Sequence, residues 1–354
     1  MTYEDVVITG LGPISAIGIG REDFFDGLRE GRVGVRPAQN LDTSDAPSDL
    51  VAECLDFVVG DYLESEKTYL DRASELLLAA CHLALADAHL DARAMDHERI
   101  GLSVGTAYGC LKTMWDYYQR LVEKGAKLAS SVLFSHSYAN TPPSLASIEY
   151  GIMGPTNTVC SGRTSGAGAI AYAFDLLRHG RIDSMVGGGM DALCQPLLDG
   201  LVAEGLDCVP GEGAGLVMLE RRAHAAARGA EVAGQLVGCG MARSAADRAG
   251  AMEGAVLAAL AVAGLDGPDI DLVLPAADGS GKLAADEGEA LRRVVGDGPR
   301  RVLLKEAIGE TFAASTGLSI AAAAHAMQAD GGRRCLVNAL DPSGDCVSLV
   351  VSAA

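Results

Sequence analysis

Short apolar runs alternate with helix-forming segments along this chain, and that alternation most constrains the fold. Val6–Thr9 is a β-branched run that ends in the turn residues Gly10–Pro13, and Arg99–Gly105 is another apolar run. Between them, Asp71–His89 places apolar residues at helical spacing. Strands separated by helices of this length pair in sheets that helices cover on both faces. The sequence therefore predicts an α/β fold.

The same alternation occurs a second time in the later part of the chain. Ala246–Ala263 and Ala313–Ala329 are helix-forming, whereas Ile270–Leu274 and Cys346–Val351 are strand-forming. Two such rounds indicate an internal duplication, with halves at 1–235 and 236–354. No linker rich in proline or serine lies near residue 235, so we expect the halves to pack as one body.

Charge and cysteine content restrict the possible partners and compartment. The net charge of −19 argues against nucleic acid and anionic membranes as main partners, because both require a positive surface. Nine cysteines without a C-x-x-C pair are typical of reduced core residues in a cytoplasmic protein. Neither a signal peptide nor an apolar run of membrane-spanning length stands out, and no motif indicates a metal or a soluble cofactor.

Several collinear stretches together resemble the β-ketoacyl synthases of fatty-acid and polyketide assembly. They include VVITGLGPISAIGIG near the start, GPTNTVCSGRTSGAGAI in the middle and GEGAGLVMLERR after it. The resemblance implies a thiolase-like fold, namely a duplicated five-layer α-β-α-β-α arrangement with mixed, largely parallel sheets. The first stretch also resembles a G-x-G-x-x-G dinucleotide loop, but Ser15 stands at the third glycine and the family accounts for the other stretches better.

The resemblance implies that Cys160 is the residue that accepts an acyl group as a thioester. An Ala-rich helix is predicted to follow it, and a helix N-terminus favours the thiolate form of a cysteine. The backbone N–H of Cys160 is then expected to help form an oxyanion hole. A buried structural role is the alternative for this cysteine.

Condensation in this family also needs two histidines, and neither is present in the matching motifs. The first motif reads Asp278-Gly-Ser-Gly-Lys with Glu289 as its following acidic residue, so Asp278 replaces the histidine. The second reads Lys305-Glu-Ala-Ile-Gly-Glu310, so Lys305 is kept and Glu310 replaces the histidine. An ionised carboxylate repels a developing enolate and cannot donate a proton to it. We expect ion pairs, Asp278 with Lys282 or Glu310 with Lys305, in place of acid chemistry.

Aromatic and other large side chains concentrate in the segment that, by resemblance, crosses a dimer interface. The candidates for an interface or an acyl-chain tunnel are Tyr108, Met114, Trp115, Tyr118, Phe134, His136 and Tyr138. Arg292, Arg293, Arg300 and Arg301 are candidates for a basic patch that binds an acidic acyl carrier protein, or for a solvated helix end.

These features favour a chain-length factor, the non-condensing subunit that pairs with an active ketosynthase and shapes its chain tunnel. Its expected partners are a ketosynthase subunit, or itself as a homodimer, and an acyl carrier protein. Retention of Cys160 fits poorly, because the familiar chain-length factors of aromatic polyketide synthesis have lost the cysteine. A Cys160-dependent acyltransferase or thioesterase, with Asp278 or Glu310 as general base, is therefore the second hypothesis, and a structural homodimer is the third.

Overall fold

A computed structural model describes residues 3–94, 96–277, 279 and 281–354. Its strands are β1 Val6–Ser15, β2 Gly18–Ile19, β3 Arg36–Pro37, β4 Leu50–Val51, β5 Ile100–Gly105, β6 Thr156–Val159, β7 Ser184–Asp191, β8 Gly213–Arg221, β9 Gly234–Arg243, β10 Leu272–Leu274, β11 Arg300–Arg301, β12 Arg334–Leu340 and β13 Asp345–Ser352. Its α-helices are α1 Gly20–Glu30, α2 Arg72–Asp87, α3 Leu111–Lys124, α4 Ser131–His136, α5 Thr141–Tyr150, α6 Ser165–Arg178, α7 Gln195–Ala203, α8 Arg222–Ala227, α9 Arg248–Ala263, α10 Gly281–Val294, α11 Lys305–Ile308 and α12 Ser315–Asp330.

The strand order of the large sheet repeats between the two parts of the chain. From one edge inwards the order is β6-β5-β7-β8-β1, and from the other edge it is β11-β10-β12-β13-β9. In each set the third strand in chain order is at the edge and the first is innermost, and the parallel and antiparallel pairings match strand by strand. Val6–Ile8 of β1 joins the sets by pairing with Gly234–Leu236 of β9. This repeat is the structural form of a duplication; residue 235 as its boundary stays a prediction.

The two halves of the sheet and three groups of helices form five layers. α2 and α5 cover the outer face of the first half, and α9 and α10 cover that of the second. α6 and α12 lie between the halves and pack on both, so the central core contains Ile170 and Phe174 of α6 with Leu318 and Ile320 of α12. Half of the ladders within each half are antiparallel, so the predicted thiolase-like α-β-α-β-α fold is present with sheets more mixed than strand–helix alternation suggests.

Glycines in the first strand of each half bring a helix close to the sheet. A Cβ on Gly12 would lie 2.1 Å from the carbonyl oxygen of Ala80 in α2, and one on Gly240 would lie 2.1 Å from that of Ala255 in α9. Gly10–Pro13 was predicted as a turn, but β1 continues through it. The glycines are needed there because α2 packs so close to the strand that a side chain would collide with it. The Gly-x-Gly pattern therefore serves helix packing.

Most predicted elements are present within a few residues, and the helices that the alternation did not predict lie on the surface. α3 was missed although it has 14 residues, since its buried face is narrow and only Thr113 is fully buried. None of the described helices is long and apolar enough to cross a membrane.

Candidate functional site

A cavity of about 550 Å³ is lined by residues from both halves of the chain. Arg163 comes from the turn before α6, Lys282 from the first turn of α10, and Lys305 and Glu310 from α11 and the loop after it. Val209, Leu283 and Leu340 supply apolar wall. Cys208 is the cysteine that lines this cavity, and burial raises the pKa of its thiol to about 12. The cavity thus gathers residues from both of the motifs in which histidine is replaced.

Glu310 is the centre of an ion network in this cavity. Its side chain is 5% exposed, and Oε2 accepts from Nζ of Lys305 at 2.6 Å. Oε1 accepts from the backbone N–H of Phe312 at 2.8 Å and from the hydroxyl of Ser315 at 3.2 Å. Every carboxylate oxygen therefore already has a donor, and the expected pairing of Glu310 with Lys305 is confirmed.

Arg163 supplies the second cation of the network. Its Nη1 lies 3.4 Å from Oε2 of Glu310, and its Nη2 donates to Asp207 at 3.0 Å. Burial works to lower the pKa of this guanidinium, but Glu310, Cys208 and Asp207 raise the pKa above its ordinary value. Sequence reasoning missed Arg163, although a cation directly before the Thr164-Ser165 helix start was visible.

A carboxylate also binds the backbone at Arg163. Oδ2 of Asp341 accepts the backbone N–H of Arg163 at 2.8 Å. Gly162 has φ +61°, a conformation that favours glycine, and a Cβ there would lie 2.1 Å from the same Oδ2, so a side chain at this position would displace the carboxylate. The hairpin between β12 and β13 is thereby fastened to the turn that precedes α6.

Cys160 lies outside this arrangement. It is exposed at the end of β6, and it is not among the residues that line the cavity. The prediction that Cys160 lies at a helix N-terminus is wrong, because α6 begins five residues later, at Ser165. Gly162 turns the chain before the helix, and Ser165 Oγ accepts the N–H of Ser161 in that turn. Partial burial, and then the charge of Asp191, raise the pKa of the Cys160 thiol instead of lowering it.

The first histidine motif is only partly described. Asp278 lies outside the described residues, as does any pairing of it with Lys282. Glu289, predicted as its acidic companion, lies on the exposed face of α10 and bonds Arg293. The carboxylate that holds this loop is Glu287, which accepts the N–H groups of Ala276 and Ala277 at 2.8 and 2.9 Å. A two-residue shift moves a side chain to the other side of a helix, so Glu289 and Glu287 have different surroundings.

Asp191 is a second buried carboxylate that fastens segments near the site. It accepts the hydroxyl of Thr106 and the backbone N–H groups of Ala107, Tyr108 and Ala313, at 2.8 to 3.1 Å. Burial raises its pKa to about 6 although these donors work to lower the pKa. The loop after β5 and the start of α12 are thus held by one side chain.

The predicted interface residues form an uncovered surface, with two exceptions. Trp115 and Tyr118 on α3 are 49% and 55% exposed, and Met114, Phe134 and Tyr138 are exposed beside them. Tyr108 is half-buried and packs edge-on against Phe312, with ring centroids 4.9 Å apart. His136 is half-buried against Tyr69, and its Nδ1 has no hydrogen-bond partner in the described part of the chain.

The chain matches two models of one family. Residues 3–205 match the model for the β-ketoacyl synthase N-terminal domain, and residues 229–331 match the model for its C-terminal domain. The two matched segments follow one another along most of the chain.

Relatives from two kinds of biosynthesis are similar in sequence. The ketoacyl synthase alpha subunit of the tetracenomycin polyketide synthase of Streptomyces glaucescens is 30% identical over 91% of this chain and 84% of the relative. The 3-oxoacyl-[acyl-carrier-protein] synthase 2 of Synechocystis sp. is 33% identical over 67% of this chain, a match that spans only 62% of that synthase.

A solved structure agrees along the whole fold. The ishigamide ketosynthase/chain length factor superimposes with a TM-score of 0.92 at 25% identity, covering 99% of this chain and 100% of that one. Together with the matched models and the collinear motifs, this shows that the chain belongs to the β-ketoacyl synthase family.

Proposed function

We propose that this chain is a non-condensing ketosynthase-like subunit, a chain-length factor that pairs with an active ketosynthase. The observation that carries the proposal is the Arg163–Glu310–Lys305 network. In it a carboxylate stands where the second histidine is expected, and an arginine faces it from the turn before α6. The guanidinium of Arg163 is not a nucleophile, and both carboxylate oxygens of Glu310 already accept hydrogen bonds.

The position of Arg163 supports the loss of covalent catalysis as well. A nucleophile in an acyl-transfer site has to lie within hydrogen-bond reach of its acid or base. Arg163 lies within reach of Glu310, the residue that replaces the second histidine. Cys160 has no described contact with Glu310 or Lys305. Arg163 is thus the better candidate for the nucleophile position of the family, and its presence there removes the conflict raised by a retained cysteine.

An open sheet edge supports a partner subunit. β6 ends one side of the large sheet, and its residues Thr156–Val159 carry no charge. β11, its counterpart in the second half, carries Arg300 and Arg301, and charged side chains on an edge discourage further pairing. Ile148 of α5, a helix that packs against β6, is an exposed apolar side chain on the same half of the chain.

A ketosynthase is a better partner than a second copy of this chain. Two copies would bring together two surfaces of a protein with net charge −19 and would contain two ion networks in place of two catalytic sites. With a ketosynthase, the uncovered aromatic surface would line the tunnel for the partner's growing acyl chain. The acyl carrier protein would deliver that chain, and exposed Arg292 and Arg301 are candidates for binding it. Nine free cysteines fit a cytoplasmic assembly.

The proposal is tested by reconstitution with an active ketosynthase that co-purifies with this chain, using carrier protein loaded with malonyl and acyl groups. We expect product only when both subunits are present. Cys160→Ala in this chain should leave product formation intact, whereas removal of the partner's nucleophile should abolish it.

Other outcomes of the same experiment would favour the rival hypotheses. An acyl adduct on Cys160 in mass spectra, together with lost activity of Cys160→Ala, would support the acyltransferase or thioesterase. A homodimer that excludes the ketosynthase in native mass spectrometry would support the structural dimer.

A further inference from the structure

The hairpin between β12 and β13 directs a carboxylate at the backbone N–H of Arg163, and acyl-transfer enzymes use such N–H groups to bind an oxyanion. Asp341 lies between Leu340 and Pro342, which both line the cavity, and its carboxylate points to the turn at Gly162 and Arg163. Oxyanion holes use backbone N–H groups at 2.7–3.1 Å from the developing negative oxygen. The 2.8 Å between Oδ2 and the Arg163 nitrogen lies within that range.

We propose that Asp341 is an internal occupant of the oxyanion position, so that the N–H of Arg163 is closed to the oxygen of an acyl thioester while the hairpin is seated. This rests on the proposed function, because it treats Arg163 as the residue at the nucleophile position. Asp341 would thus occupy the backbone N–H of Arg163, while Glu310 binds the side chain of the same residue. When the Asp341 carboxylate is removed by mutation, the same N–H becomes free to bind a small carboxylate from solution.

The surrounding contacts show that the carboxylate is built into this place. Its other oxygen, Oδ1, accepts the N–H of Ser343 at 2.9 Å, and its backbone bonds Gly344 and Asp345, so the hairpin turn sets its direction. Gly162 leaves room for Oδ2 where any side chain would collide with it. The guanidinium of Arg163 also binds Asp207 and Glu310, so this residue is held by three carboxylates.

The test is chemical rescue of Asp341→Ala with formate, measured as thermal unfolding of the chain alone. Formate carries the deleted carboxylate without its tether, and a ligand that binds only the folded state raises the melting temperature. We expect Asp341→Ala to melt below wild type and to gain several degrees, saturably, in formate relative to chloride at equal ionic strength.

Asp345→Ala is the matched control. Asp345 is an acidic residue of the same hairpin that binds Ser343 and Arg243 and does not touch Arg163. It should gain no more in formate than in chloride, as should wild type. Equal formate effects in Asp341→Ala and Asp345→Ala, or none in Asp341→Ala, would overturn the proposal.

A second variant covers the case in which Asp341→Ala does not fold. Asp341→Ser keeps a hydroxyl acceptor for the turn but is too short to reach Arg163. Hydrogen exchange at the Arg163 amide should be at least roughly tenfold faster in Asp341→Ser than in wild type and Asp345→Ala, because its acceptor is gone. Unchanged protection would contradict the proposal. Since no partner is involved, failure here is distinct from failure of the reconstitution.

Discussion

Nζ of Lys305 lies 2.6 Å from Oε2 of Glu310, and their side chains are only 10% and 5% exposed. Arg163 shares the same carboxylate oxygen at 3.4 Å. Removing a carboxylate from a buried cation is costly, because water does not replace that partner.

Replacing Glu310 with alanine should therefore destabilise the chain strongly. We expect the free energy of unfolding in urea to fall by about 3 kcal/mol or more, as for other broken buried pairs. Glu289→Ala is the control, since its bond to Arg293 lies on the exposed face of α10 and should change stability within experimental error. A loss in Glu310→Ala no larger than the control's would show that the network does not hold the site.

The open edge at β6 predicts a variant that weakens assembly and spares the fold. The carbonyl groups of Pro155 and Val159 bond β5, so by alternation Thr156 and Thr158 direct their backbone groups to the free edge. Thr158→Pro removes one outward N–H. We expect the dissociation constant of the heterodimer to rise about tenfold, from the loss of about one hydrogen bond.

Asn157→Pro is the comparison for that edge variant. Its N–H faces β5, so this variant should lower the melting temperature of the isolated chain, which Thr158→Pro should leave nearly unchanged. Titration by native mass spectrometry measures the first effect and thermal unfolding measures the second. Equal binding by Thr158→Pro and wild type would remove β6 from the interface.

Asp191 predicts a specific pH dependence of stability. Its pKa in the folded chain is raised to about 6, against an ordinary value of about 3.9. A raised pKa means that the folded state holds the proton more tightly, so this contribution is complete below about pH 4 and is lost as pH rises through 6. The shift of about two units corresponds to about 3 kcal/mol.

The difference between wild type and Asp191→Asn isolates this term from other carboxylates. Urea unfolding from pH 3 to 7 should show wild type losing about 3 kcal/mol relative to the variant across that range. Parallel profiles for the two proteins would show that Asp191 does not titrate there.

Cys160 is the exposed cysteine among the nine, and the others are buried or half-buried. Iodoacetamide should therefore label Cys160 first in the native chain, slowly at pH 7, because partial burial and Asp191 raise the pKa of its thiol. Because Cys160 follows β6 directly, binding of the ketosynthase should protect it. Peptide mass spectrometry reads both effects, and undiminished labelling in the heterodimer would place the interface elsewhere.

Apolar periodicity predicted the α/β class and the family resemblance predicted its thiolase-like form, whereas the site depended on turn geometry that neither contains. Lys305 and Glu310 were paired correctly because they lie five residues apart around one short helix. Arg163 was not considered, because the motif was read without the bend at Gly162. Thr164 and Ser165 before the Ala-rich run were the available signal for a later helix start.

Glu287 was missed for a related reason. Sequence spacing from Asp278 does not say which side of α10 faces inward, but Ala290 and Leu291 do, and Glu287 lies one turn before them. Buried polar residues on a helix are found from such neighbours rather than from motif length.

The unequal ends of the large sheet also limit how far assembly can proceed. A sheet with two open edges can add chains at both ends and grow into a fibre, whereas pairing through one self-contained edge stops after the first partner. Here Thr156–Val159 forms an uncharged edge strand, whereas the charges of Arg300 and Arg301 discourage pairing at the opposite edge. Under the proposed function, one of two equivalent edge strands pairs with the ketosynthase and the other resists pairing, so we expect a closed pair and no larger assembly.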